Sequence, residues 1–409
     1  MEKEPEFMLD HFLHYNILFV RKGKFSPFLF LVILITILSC NRANHTSLNF
    51  KKHELVSYNT GFTASGYHWG TIKVSKDTLI YFADVLTKKK ITLFSLTGKK
   101  IKTIPLDTVL KKYLKIDDIC VKSLDSVIVL ARYANQIYFI NGTGNITKHI
   151  DLDPYLYING YKFEVYSTVL PNSDFCLNND FIFAMGLAKF SSEDTTRQKY
   201  LYDFFKTKYH LNYFIKFSNL SDSIHTKTGF NQLYASFKPN KFIVEGSYFK
   251  FVNNRIFVLT GYKDTIYELD TNFNVLAKHK ILSDYTDLDL GKNIVDIQDI
   301  DNDPNYPNIL AQTCGRIDKF YYDAFRKRYY VTVSHKVNIK NKRKDRAENR
   351  PWSLLVYDNK FNKLGEFVFN GKEYYDSFII LKNGIFIKIS KYNKLYERDK
   401  AQFRRFTIE

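Results

Sequence analysis

Val127-Ile128-Val129-Leu130, then Ile137-Tyr138-Phe139-Ile140, Asn141-Gly142, Gly144-Asn145 and finally Ile146 to Ile150 form the stretch on which the fold turns. Short runs of β-branched and aromatic residues separated by a Gly/Asn-rich connection read as antiparallel strands joined by tight hairpins. The first run is apolar on both faces. A strand with one face in water alternates apolar and polar residues with period two, so this one must be covered on both sides. Parallel sheets of α/β proteins are also covered twice, but they need crossover helices, and the intervals here are too short to hold them.

The same signature returns at Ile256-Phe257-Val258-Leu259, Ile266 to Asp270, a turn at Thr271 to Asn274, and Val275-Leu276. Looser copies begin at Leu79 to Phe82, Phe181 to Phe183, Tyr330 to Val333 and Phe378 to Ile380. Six units average about 59 residues, against about 40–50 for the commonest propeller repeats, and insertions such as the one containing Glu193 to Tyr209 supply the excess. A radial stack of four-stranded sheets hides both faces of every blade and leaves short edge strands outward. The expected fold is therefore all-β, a six-bladed β-propeller over residues 51–409, closed by pairing a strand near His53 to Ser57 with the chain end around Phe406 to Ile408. A long two-sheet sandwich is the alternative, with less reason to repeat one hairpin signature.

Composition fits this reading. The chain has 409 residues, 17% of them aromatic, including 36 Phe and 30 Tyr, and large rings suit the wedges between blades. Extensive disorder is excluded by that apolar load, and four Cys are too few for a disulfide scaffold.

Arg21, Lys22 and Lys24 precede an unbroken apolar run from Phe28 to Leu38. As a helix it would reach about 16 Å, short of the roughly 30 Å hydrocarbon layer. A basic cluster, an apolar stretch and a small residue make an export signal, and Ile37-Leu38-Ser39-Cys40 resembles a bacterial lipobox. That resemblance implies a signal peptide over 1–39, lipidation of Cys40, and a polar tether over 40–50, with acyl chains replacing a transmembrane helix as the anchor. Residues 1–39 carry four basic and four acidic residues, so the whole net charge of +18 stays with residues 40–409. Export makes nucleic acid a poor partner for that charge. Anionic headgroups or an acidic glycan suit it better.

The chain resembles uncharacterised six-bladed β-propeller lipoproteins of Bacteroidota, most clearly in Gly315-Arg316-Ile317-Asp318-Lys319-Phe320-Tyr321-Tyr322-Asp323, in Arg350-Pro351-Trp352-Ser353-Leu354-Leu355-Val356-Tyr357-Asp358 and in Phe361-Asn362-Lys363-Leu364-Gly365-Glu366. The resemblance implies an envelope protein. Cys40-Asn41-Arg42-Ala43-Asn44 lacks the acidic residues associated in that phylum with export to the outer face, which implies the periplasmic side of the outer membrane.

Candidate ligand-binding residues are Arg316, Asp318, Arg350 and Trp352. They offer a guanidinium beside an aromatic platform and an acid–base pair at i,i+2. The competing structural reading pairs Arg with Asp across blades and lets Trp fill a wedge. Lys336 to Arg350, rich in Lys and Arg, is a solvated hairpin insertion or a contact for acidic glycan or headgroups. Asp299, Asp301 and Asp303 alternate as calcium ligands do, but no Glu completes a loop, and Asp151 with Asp153 is weaker still. No phosphate loop, Gly-x-Ser-x-Gly elbow, zinc motif or dinucleotide fingerprint occurs, so no cofactor is expected. Cys120, Cys176 and Cys314 are an odd set with no close pair. Two functions fit: a membrane-tethered binding or scaffold module for an envelope protein, peptide or glycan, or an exported hydrolase or lyase with its site at the central channel.

Overall fold

The structure, a computed structural model, describes residues 48–409 except 62–66, 86–88, 107–114, 133, 159–160, 167–175, 178–179, 188–213, 219–223, 231–240, 243–246, 261–262, 289–294, 297–313, 338–349, 390–392 and 398. The export segment, Cys40 and the Asp299, Asp301 and Asp303 group lie outside the described residues.

Six antiparallel sheets follow one another along the chain. Blade one is Tyr67–Val74, Asp77–Asp84, Lys90–Ser95 and Lys100–Pro105, and blade two is Lys115–Ser123, Ser126–Arg132, Gln136–Ile140 and Ile146–Asp151. Blade three is Tyr161–Tyr166, Asp180–Leu187, Phe214–Ser218 and His225–Gly229, with short additions at Tyr157–Ile158 and Cys176–Leu177. Blade four is Ser247–Val252, Arg255–Thr260, Thr265–Leu269 and Val275–Lys280. Blade five is Arg316–Asp323, Arg328–Ser334, Trp352–Tyr357 and Lys363–Phe369. Blade six takes Glu373–Leu381, Gly384–Ile389 and Lys400–Ile408 from the end of the chain and Phe50–Asn59 from its start.

Each doubly apolar strand serves two wedges. Val127 and Val129 pack with blade one, whereas Ile128 and Leu130 pack with blade three. Ile256 and Val258 likewise face blade three, and Phe257 and Leu259 face blade five. The six hydrophobic clusters occupy the six interfaces of a closed ring, including the one between blades six and one, where Trp69, Ile80 and Phe82 meet Ile379, Phe386 and Phe403. The protein is a six-bladed β-propeller. Closure runs through the expected strands: Phe50 pairs with Ile408, Val56 with Phe403 and Asn59 with Lys400, and Asn49 and Glu409 exchange both backbone hydrogen bonds.

The turns joining third to fourth strands repeat one chemistry. Asp270 Oδ1 accepts the N–H groups of Asn272 and Asn274, Asp358 Oδ1 those of Lys360 and Asn362, and Asn141 Oδ1 those of Thr143 and Asn145. The fourth turn position is left-handed, with φ of 69° at Phe273, 63° at Phe361 and 90° at Gly144.

Because first strands all run the same way, connections sort by face. First-to-second and third-to-fourth connections lie on one face and are two to six residues long, apart from the connection containing Cys176–Leu177 in blade three. Second-to-third connections and those between blades lie on the other, among them the described residues 230, 241–242, 281–288, 295–296, 314–315, 335–337 and 350–351. Two of these, flanking blade four, pair with each other through Lys241–Phe242 and Val295–Asp296.

Candidate functional site

First strands line the central channel. Trp69, Thr71, Cys120, Lys250, Tyr322 and Ile380, from five blades, bound a cavity of about 270 Å³. Where these strands begin, on the long-connection face, the described residues gather buried charge: Asp118 in blade two, Asp318 and Lys319 in blade five, and Glu373 in blade six. Bulges there, between Ile116 and Asp118, Ile317 and Lys319, and Glu373 and Phe378, turn side chains out of the regular alternation.

His68 Nδ1 lies 3.1 Å from Oδ1 of Asp118, whose carboxylate also accepts the Ile119 N–H at 2.8 Å. This bond joins the first strands of blades one and two. A carboxylate that holds Nδ1–H leaves Nε2 as the basic nitrogen. Neighbouring Trp69 packs toward blade six, with Lys388 Nζ 5.3 Å from its ring centroid. Lys319 is similarly sunk in the protein, its Nζ 4.3 Å from the Tyr248 ring.

Blade five brings together three of the four residues singled out from the sequence. Arg316 Nε donates to Asp318 Oδ1 at 2.7 Å, Arg350 Nη2 is 3.8 Å from the same oxygen, and the Ser334 hydroxyl donates to Asp318 Oδ2. The pairing is within one blade, not across blades as the structural reading of the sequence had it. Trp352 is fully buried, stacks on Phe369 at 4.0 Å and donates Nε1–H to the Glu373 carbonyl at 2.9 Å. Its ring faces are inside the wedge between blades five and six and present no platform at the surface.

Beside this cluster, His335 Nε2 is 2.7 Å from Ser353 Oγ, and Ser353 also hydrogen-bonds Glu366. Burial raises the affinity of Glu366 for a proton, but hydrogen bonds from Lys363, Ser283, Asp284 N–H and Ser353 outweigh it and hold the carboxyl below its ordinary range. Burial, with the Arg350 charge adding to it against Glu366, lowers the His335 pKa. With its proton engaged by Glu366, Ser353 accepts the His335 N–H. That polarity is the reverse of what a nucleophilic serine needs, so this relay braces the blade.

Cys120 lines the channel and Cys314 is buried with a free thiol. Asp151 and Asp153 are used locally, accepting from Asp153 N–H and from Asn135 Nδ2. No group of three or more metal-ligating side chains occurs among the described residues. No described helix is long and apolar enough to cross a membrane.

No protein-family model and no curated protein matches the chain. Among solved structures, a member of the DUF4221 family from Bacteroides vulgatus superposes with a TM-score of 0.67 at 14% identity, over 90% of this chain and 99% of that one. The likeness is one of fold. It agrees with the resemblance to Bacteroidota propellers read from the sequence. A Bacteroides fragilis protein provisionally described as exported gives a TM-score of 0.48 at 11% identity, over 89% and 98%. Virginiamycin B lyase from Staphylococcus aureus gives 0.38 at 10%, over 89% and 100%. Neither of these two bears on what this chain does.

Proposed function

We propose that the protein is an exported, lipid-anchored binding module of the bacterial outer membrane, on its periplasmic side, that engages an envelope partner through its long-connection face. The observation carrying this reading is where apolar surface is left open. Among the described residues, the four most exposed large apolar side chains are Tyr157, Leu282, Tyr285 and Leu395, at 53–68%. All four sit in connections on that one face. Tyr157 stands between blades two and three, Leu282 and Tyr285 between blades four and five, and Leu395 within blade six, so they are spaced around that face as separate apolar contacts and do not form one patch.

Chain entry complements it. Phe50 begins its strand opposite Ile408, so the preceding residues leave from the short-turn face. A lipid on Cys40 would hold Leu48 within at most about 28 Å of the bilayer. Two measurements test the reading. Labelled palmitate should enter the wild type and not Cys40→Ala. A photo-crosslinker at Tyr285 in the native envelope should give a discrete adduct that the same group at Thr143, in a short turn, does not. Equal adducts from both positions, or none from Tyr285, would overturn it.

A second reading rests on His68. An imidazole braced by a buried carboxylate at the channel entrance suits a general base, in keeping with an exported hydrolase or lyase. His68→Ala would then abolish turnover of a substrate, and His68→Asn, whose amide can still donate to Asp118, would abolish it equally while keeping more of the thermal stability.

A further inference from the structure

A groove of about 670 Å³ runs between blades five and six, lined by Phe50 and Lys52 from the start of the blade-six fourth strand and by Asn370, Lys372, Asn393 and Lys394 from connections on the long-connection face. Its charge is one-sided. Among the described residues, Lys52, Lys372, Lys394 and Arg404 line it against one carboxylate, Glu373, which Lys52 Nζ approaches to 4.0 Å. Arg404 stands beside them in the lining, its Nε buried with no hydrogen-bond partner among the described residues.

The floor is apolar and fixed. Val368 is exposed, Phe50 is half-buried, and behind them Phe369 and Phe406 pack around Phe50 at 5.5 and 4.7 Å. Trp352, stacked beneath Phe369, makes that floor rigid. Asn370 and Asn393 stand at the rim, and each uses Oδ1 to accept a local backbone N–H, from Lys372 and Leu395 respectively. Their Nδ2 groups are the donors that remain.

We infer that this groove binds a linear acidic saccharide bearing carboxylates. Three chemistries meet there: cations for carboxylates, amide donors for ring and hydroxyl oxygens, and an apolar floor for the C–H faces of sugar rings. A groove of this volume falls in the range that encloses a small ligand. An acidic peptide would gain nothing from the floor that is specific to it, and a phosphate headgroup would use the cations alone. The inference goes beyond the partner-binding reading and holds whether or not a protein docks on the same face.

Calorimetry on the full chain in detergent, with a hexamer of galacturonic acid as the probe, tests it. The hexamer should bind, weaken as salt screens the charges, and lose at least ten-fold in affinity in the exposed-site variant Lys372→Gln/Lys394→Gln. The same change at Lys99 and Lys360, on the short-turn face, should leave binding intact. The fully methyl-esterified hexamer, hexaglutamate and glycerophosphoglycerol should each bind at least ten-fold more weakly. No binding of the hexamer, equal binding of any one of these three, or no effect of the double variant would overturn the inference.

Discussion

Phe361 shows how single residues in this protein serve two masters. Its left-handed backbone, φ 63°, closes the turn after Asp358, while its ring stacks on His279 of blade four at 3.6 Å. A side chain in that backbone region costs about 1–2 kcal/mol, and wedge packing offsets it. Phe361→Ala keeps the strain and loses the ring, whereas Phe361→Gly loses both. The glycine variant should therefore unfold at higher denaturant than the alanine variant, by about 1 kcal/mol, the reverse of the usual order. Titration argues in a similarly local way. His335 is held neutral, so its contribution to stability is complete above the ordinary value of 6.5 and drains away as pH falls through its lowered folded value. Asp270, Asp358 and Glu366 are held charged; although burial opposes this, hydrogen bonds from Asn274, Asn362 and Lys363 among others prevail, and their contributions drain away only below the ordinary 3.8 and 4.5. Acid unfolding monitored by fluorescence should thus soften in two stages, and His335→Gln should remove the first while leaving the second.

At the level of elements, the clasp of blade six is the most exposed to test. Its third strand is Lys400–Ile408 and its fourth is Phe50–Asn59, joined by backbone pairing and by His53 Nε2 to Thr407 Oγ1 at 2.9 Å. Phe406 and Ile408 are buried in the wedge with blade five. Truncations of buried residues this size cost about 2–5 kcal/mol each. Removing residues 404–409 should lower stability by on the order of 5 kcal/mol or more, and unchanged unfolding would refute closure through this strand. Second, third and fourth strands were legible because they are short, apolar and punctuated by Asn, Asp and Gly turns. First strands such as Tyr67–Val74, Lys115–Ser123 and Ser247–Val252 were missed. Lys115–Ser123 is interrupted by bulges, and the three carry His68, Asp118 and Lys250 among apolar residues, so no clean period of two stands out.

Across the whole molecule the two faces differ in kind. Short turns and the point of chain entry share one face, and the longer connections, with Tyr157, Leu282, Tyr285 and Leu395, share the other. If the chain is anchored through Cys40, a fluorophore at Thr143 should be quenched by lipid-borne quenchers more than one at Tyr285, and equal quenching would exclude the orientation. The sequence by itself determined the architecture, because doubly apolar strands joined by hairpins have few ways to hide both faces, and six repeats make a ring. It also marked Arg316 with Asp318, since an i,i+2 spacing is local, whereas the approach of Arg350 to the same carboxylate depends on the fold of blade five. Only the tertiary structure decided which groups meet across blades. His68 and Asp118 are 50 residues apart, and the groove assembles Lys52, Lys372, Lys394 and Arg404 from both ends of the chain. It also decided against Trp352 as an open platform, because whether a ring faces solvent or a neighbouring blade depends on wedge packing, which no linear spacing encodes.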